Sequence, residues 1–213
     1  MNEKQFEGNF LLDTGSQMPA IFNSPMARKN KIASQIEKSI AIERKAGVSE
    51  VSSKFVLFRG QQLEIFGKSF DEIPSAYSTA SSGALASTGF QGIIGNPVLK
   101  RFNIILDYSK EKMYVNPNRL YDVPFLADCS GIAFDVKRDD KKLIAEFIVE
   151  HSPADKAGIN LGDELLTING KSSGSYTSDE LDNLLRKPGN QLKIQYKRGN
   201  ELLEASLITK DLL

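Results

Sequence analysis

The sequence predicts a mainly β protein built in two blocks, and three observations carry that prediction. From residue 10 to about 118, short runs of alternating or continuous apolar residues are separated by Gly, Pro and Asn turn signals. A stretch from 116 to 128, carrying Pro117 and Pro124, then breaks the pattern and reads as a linker. Beyond it strands resume, joined by one amphipathic helix over 178–186, with Ser178 as N-cap and Leu181, Leu184 and Leu185 as its apolar stripe.

Each element has a local reason. Phe10, Leu11 and Leu12 form the end of a single strand over 5–12, and Gly15 lets the backbone turn sharply after Asp13 and Thr14. Ser24 as N-cap and Pro25 in the first turn predict a helix over 25–31. Residues 40–44 and 48–56 predict two strands around Lys45-Ala46-Gly47. Residues 59–65 and 68–73 alternate apolar and polar about Gly67, a further hairpin. Residues 78–88, rich in Ser, Ala and Gly, read as a mobile surface loop. Gly92-Ile93-Ile94-Gly95 precedes Asn96-Pro97, which starts a short helix through Leu99 and Lys100, and a strand follows over 104–107.

Composition narrows the function classes. Apolar residues make up 40% and charged residues 25% of the 213 residues, as in a soluble globular chain. Lys plus Arg and Asp plus Glu both number 27, so nothing in the charge balance argues for nucleic acid or an anionic membrane. No apolar run is long enough for a transmembrane helix, and the opening residues do not read as a signal peptide. With one cysteine, Cys129, and one histidine, His151, no internal disulfide or zinc set forms, and no cofactor or metal is expected. Cys129 reads as a small packed residue and His151 as a surface one.

Two resemblances then add function. The apolar-apolar-Asp-Thr-Gly-Ser run at 11–16, followed by Gly92-Ile93-Ile94-Gly95 and the strand ending at Asp107, resembles the retropepsin-like aspartic proteases. It implies a closed β-barrel lobe in which Asp13 supplies one catalytic carboxylate. Thr14 would lock the loop to a second lobe, Gly15 would aim its N–H at the carboxylate, and Ser16 would hold the outer oxygen. Lys45, Ala46 and Gly47 fall where that family has its flap, though a plain solvent hairpin fits them equally. Ile94 lies on the crossing strand, as a substrate contact.

The second block resembles a PDZ domain, a partly open β-barrel with two helices. Its ordered series runs Gly131-Ile132-Ala133-Phe134, Ser152-Pro153-Ala154, Ala157-Gly158, Gly162-Asp163-Glu164 and Ile168-Asn169-Gly170. In that family the Gly-apolar-x-Phe loop offers N–H groups to a peptide carboxylate, and the next strand pairs with the peptide. Gly131, Ile132, Ala133 and Phe134 are thus peptide-binding candidates. Asp163 fixes a turn in such a fold.

An aspartic protease needs two carboxylates sharing one proton about a water. Only one Asp-Thr-Gly occurs, so the dyad requires a second lobe, from a homodimer or from an N-terminal lobe outside this chain; the short run before Asp13 suggests a longer parent. The resulting expectation is an aspartic endopeptidase lobe at 1–118, a linker at 119–126 and a PDZ domain at 127–213, in the periplasm or cell envelope. The rival is an inactive peptide-binding or scaffold protein using the PDZ groove.

Overall fold

The strands of residues 10–117 and those of residues 132–208 fold as separate units, Met1–Phe125 with Leu213 and Leu126–Leu212, in the computed structural model. It describes residues 5–45, 52–136 and 142–213.

The first unit contains β1 (Phe10–Asp13), β2 (Ala20–Phe22), α1 (Ser24–Lys29), β3 (Ser39–Lys45), β4 (Ser52–Ile65) and β5 (Lys68–Ser78). Then follow β6 (Gly92–Gly95), α2 (Asn96–Leu99), β7 (Phe102–Asp107) and β8 (Lys112–Pro117). Six strands join in the order β1-β6-β2-β5-β4-β3, and β7 pairs with β8 apart from them. The consecutive strands β1 and β2 do not pair, because β6 runs between them, parallel to β1 and antiparallel to β2.

Glycine makes that insertion possible. A Cβ on Gly92 would sit 2.1 Å from the Ile21 carbonyl oxygen, and one on Gly95 would sit 2.1 Å from the Met18 oxygen. Both obstacles are backbone, so the strand approaches that closely only without side chains there. The core beneath holds Ile73, Ile94, Val98, Leu99 and Phe102, with Phe70 edge-on to Phe102 at 5.8 Å.

The second unit contains β9 (Ile132–Val136), β10 (Leu143–Ile148), α3 (Pro153–Lys156), β11 (Glu164–Ile168) and β12 (Lys171–Ser172). It ends with α4 (Ser178–Leu185), β13 (Gln191–Arg198) and β14 (Glu201–Ile208). Its sheet runs β14-β13-β11-β10-β9, leaving β9 at an edge, with β12 attached to β11. Ile132, Leu143, Leu165, Ile168, Leu192 and Ile194 fill the core against α4 through Leu185. On β13 the exposed and buried positions alternate through Tyr196, as the period-2 pattern requires.

Several local expectations need correction. β4 is one strand of 14 residues, where two separate runs at 48–56 and 59–65 were expected; Gly60 remains in the ladder, paired with Ile73. The β4–β5 turn has Phe66 at φ 56° and Gly67 at φ 68°, the double positive φ that lets a two-residue turn follow strand twist. The cap of α1 is Asn23, whose Oδ1 accepts from the Met26 N–H at 2.8 Å, and not Ser24. Ser24 instead donates to the Ala80 carbonyl at 2.6 Å and is buried. Likewise α4 is capped by Thr177, not Ser178. Thr177 and Glu180 form a reciprocal capping box, which demands Glu three residues after the cap. Within 78–88, residues 84–86 form a 3₁₀ turn. Of the flap residues, Ala46 and Gly47 lie outside the described residues, and Lys45 ends β3.

Candidate functional site

The Asp13 turn is well ordered by local bonds, but its pattern differs from the expected catalytic one. Gly15 donates its N–H to Asp13 Oδ1 at 2.8 Å, as expected of a carboxylate cradle. Ser16 does not support the carboxylate: its hydroxyl is directed to the Met18 carbonyl at 3.4 Å, while its own carbonyl accepts from Asn96. Thr14 is exposed. Ile94 is 1% exposed and belongs to the core of the unit. A concavity of about 460 Å³ opens in this unit between Phe6, Asn23, Met26, Phe90 and Gln91, and Asp13 does not line it.

The second unit presents a different arrangement, with a strand edge that no other described strand pairs beside a specialised loop. Gly131 turns at φ +84°, and a Cβ there would lie 2.2 Å from Ser152 Cβ and Oγ. Only glycine satisfies both constraints. Val149 donates to the Gly131 carbonyl at 2.8 Å, which starts the β9–β10 pairing. Cys129 donates its N–H to the Leu185 carbonyl at 2.8 Å, tying the loop before β9 to the end of α4. Phe134, Leu181 and Leu184 pack on the core cluster while keeping part of their surface exposed. An edge strand whose entry loop is tied to a partly apolar helix offers backbone N–H and C=O groups to which an extended peptide can add as a strand.

The loop itself has internal partners that the motif resemblance does not name. Asp128 Oδ2 accepts from the Gly131 N–H at 2.5 Å, and Asp128 Oδ1 accepts from the Ser130 hydroxyl at 2.7 Å. Ser130 Oγ in turn accepts from the Ile132 N–H at 3.1 Å. Burial pushes the Asp128 carboxyl above its ordinary range; the Ser130 and Gly131 hydrogen bonds and the nearby Arg186 charge oppose that rise. An Asp three residues before the loop glycine is the one sequence signal that could have pointed to this cluster.

The frame around the loop is held by longer connections. Asp163 is 0% exposed, accepts the Asn160 N–H at 2.8 Å and takes two bonds from Arg198 at 2.8 Å. It fixes a turn and pairs a cation. The paired carboxylate raises the Arg198 guanidinium above its ordinary range. His151 has its side chain 83% exposed and adopts φ 61°, held by its N–H to Asp155 Oδ2 at 2.7 Å. Cys129 is buried and outside any disulfide.

Residues 130–209 match the family model of the PDZ domain, so the chain carries a PDZ domain over those residues. Among curated proteins, it is 26% identical over 142 residues to the carboxy-terminal processing protease CtpA of Bacillus subtilis (strain 168), covering 66% of this chain and 30% of that protein. It is 22% identical over 174 residues to a probable CtpA-like serine protease of Staphylococcus haemolyticus (strain JCSC1435), covering 81% of this chain and 34% of that one. The chain therefore spans about a third of the length of these relatives. Among solved structures, the HtrA3 PDZ domain bound to a phage-derived ligand matches 40% of this chain and 88% of its own, at 20% identity and a TM-score of 0.34. The HtrA-type protease AlgW with decapeptide matches 83% of this chain and 62% of its own, at 10% identity and a TM-score of 0.38.

These relatives overturn the expectation of an aspartic endopeptidase. The two curated ones are CtpA-type proteases, one of them named as a serine protease, and neither is named as aspartic. The expected second-lobe partner, a homodimer mate or an N-terminal lobe, was argued from the aspartic dyad and loses that ground.

Proposed function

We propose that this chain is the peptide-capturing part of a CtpA-like, serine-type processing protease, with the PDZ domain as the capturing element. The observation that supports this most directly is the free edge of β9, entered through the Gly131 turn and tied to the end of α4 by the Cys129–Leu185 bond. A peptide laid beside β9 would add a strand to the sheet, gaining backbone hydrogen bonds irrespective of sequence. Gly131, Ile132, Ala133 and Phe134 form the receiving wall, and Leu181 and Leu184 supply apolar contacts for alternate peptide side chains.

The chain's role in this reading is capture and presentation, and no nucleophile is assigned to it. For the first unit we propose a crossed-strand lobe of the retropepsin type as architecture alone, supported by β6 lying between β1 and β2. We propose the cell envelope as the location of the whole protein, a reading supported by the resemblance to PDZ-carrying proteases; no described helix is long and apolar enough to cross a membrane.

Fluorescence anisotropy with labelled, unstructured decapeptides tests the reading. Binding that weakens at least about tenfold in Leu181→Arg, with the fold retained, supports the groove; the factor corresponds to about 1.4 kcal/mol. Binding that is absent in the parent chain, or unchanged in the variant, refutes it.

A further inference from the structure

The loop that begins β9 already contains a carboxylate of its own. In a peptide site that selects chain ends, the loop N–H groups wait for the ligand's terminal carboxylate. Here the Gly131 N–H is directed to Asp128 Oδ2, and the Ile132 N–H is directed to Ser130 Oγ. The Ser130 hydroxyl proton is in turn committed to Asp128 Oδ1 at 2.7 Å. The three groups form one closed relay: Asp128 binds Gly131 directly and reaches Ile132 through Ser130.

Ser130 is fully buried, and its carbonyl accepts from Ala154 at 3.0 Å, so the relay is anchored to the start of α3. From α4, the cation near Asp128 is Arg186, which is itself engaged with Asp182 at 2.8 Å. Its charge is therefore shared between two carboxylates.

We infer that Asp128 acts as an internal stand-in for a ligand carboxylate, so that this groove selects internal, extended peptide segments over free C-termini. This rests on the reading of the second unit as a peptide-binding domain. The reasoning is electrostatic and geometric together. A ligand carboxylate entering the loop would meet a second carboxylate at close range, and like charges in a partly desolvated site repel strongly. It would also have to displace two hydrogen bonds already made, leaving Asp128 or Ser130 short of a partner. A strand passing through the groove without a terminal charge meets neither obstacle and keeps the β9 edge to pair with. Asp128 is a specificity residue in this scheme: it decides which end chemistry is admitted, while β9 supplies the binding.

The test uses the full chain and one labelled decapeptide pool, randomised except for an apolar last residue, synthesised both as free acid and as carboxamide. Binding is measured by anisotropy at about pH 7.5. For the parent chain the amide should bind at least as well as the acid. In Asp128→Asn, which keeps an acceptor for the Gly131 N–H while losing the charge, acid binding should rise about tenfold and amide binding should stay within about twofold. A parent chain that prefers the acid by tenfold or more overturns the inference, and that measurement needs no variant. An Asp128→Asn variant that gains equally for acid and amide also overturns it, because a merely structural role would move both. Absence of binding by either pool to parent and variant alike refutes peptide capture itself, a distinguishable outcome.

Discussion

Replacing Gly131 by Ala is the sharpest perturbation of the second unit, because two separate costs meet at one atom. The residue turns at φ +84°, where an L side chain costs about 1–2 kcal/mol. The added Cβ would also lie 2.2 Å from both Cβ and Oγ of Ser152, with Val149 Cβ at 3.4 Å. Forcing such an overlap costs about 1–3 kcal/mol in shifted backbone and side chains. The sum is about 2–5 kcal/mol, a large share of the stability of a small domain. The two parts separate in a cycle with Ser152→Gly, which removes the atoms in conflict. Ser152 caps α3 by accepting the Asp155 N–H at 3.2 Å, and glycine at such a cap costs only a few tenths of a kcal/mol. The double variant should therefore recover the overlap part, about 1–3 kcal/mol, and retain the φ part. Native-state hydrogen exchange at the buried Ile168 and Ile194 in the full chain reads the opening free energy of this unit. Gly131→Ala within about 0.5 kcal/mol of the parent, or no recovery on adding Ser152→Gly, refutes the argument.

Four further outcomes follow from the same geometry. Ile168, with no exposed surface, should cost about 2–5 kcal/mol as Ile168→Ala, read by urea denaturation of the second unit. In the first unit, Gly92→Ala should abolish the β1–β6–β2 crossing, because the new Cβ meets a backbone oxygen at 2.1 Å; a retained native amide spectrum for Phe10–Asp13 would contradict this. The Lys171 contact and the Thr177 N–H hold the Glu180 carboxyl down at about 2, so its stabilising contribution is present above the ordinary carboxylate value and is lost as pH falls from there toward about 2. Exchange at the Thr177 amide should therefore accelerate over that window, and not in Glu180→Gln. Asp128 has the opposite sign: its carboxyl is raised by burial, so its stabilising contribution is complete below the ordinary range and is lost as pH rises through the raised value. Asp128→Asn should flatten that fall in a pH series of thermal unfolding.

The PDZ domain was legible in the chain because its signals are local and redundant. A turn at positive φ admits few residues, so Gly131 before an apolar run and an aromatic residue carries structural information by itself. The amphipathic helix was legible for a similar reason, since Leu181, Leu184 and Leu185 show its face without any partner. Its cap was displaced by one position because Ser178 and Thr177 are both competent, and only Glu180 reaching back to Thr177 decides between them. Asn23 and Ser24 present a related ambiguity: both could cap, but Ser24 is drawn off by the Ala80 carbonyl, 56 residues away.

The sequence by itself determined the mainly β character and most turn positions, set by steric limits within a few residues, and it carried the ordered motifs whose resemblance announced the PDZ domain. Tertiary structure decided what the polar groups do. In the Asp-Thr-Gly-Ser run the Ser16 hydroxyl goes to the Met18 carbonyl and the Gly15 N–H to Asp13 Oδ1. Asp163 finds Arg198 across 35 residues, and β6 finds its place between β1 and β2, through contacts that no local pattern encodes. The physical reason is common to all three: turn geometry depends on one residue's own backbone, whereas a hydrogen bond's partner is whatever donor or acceptor the fold brings near.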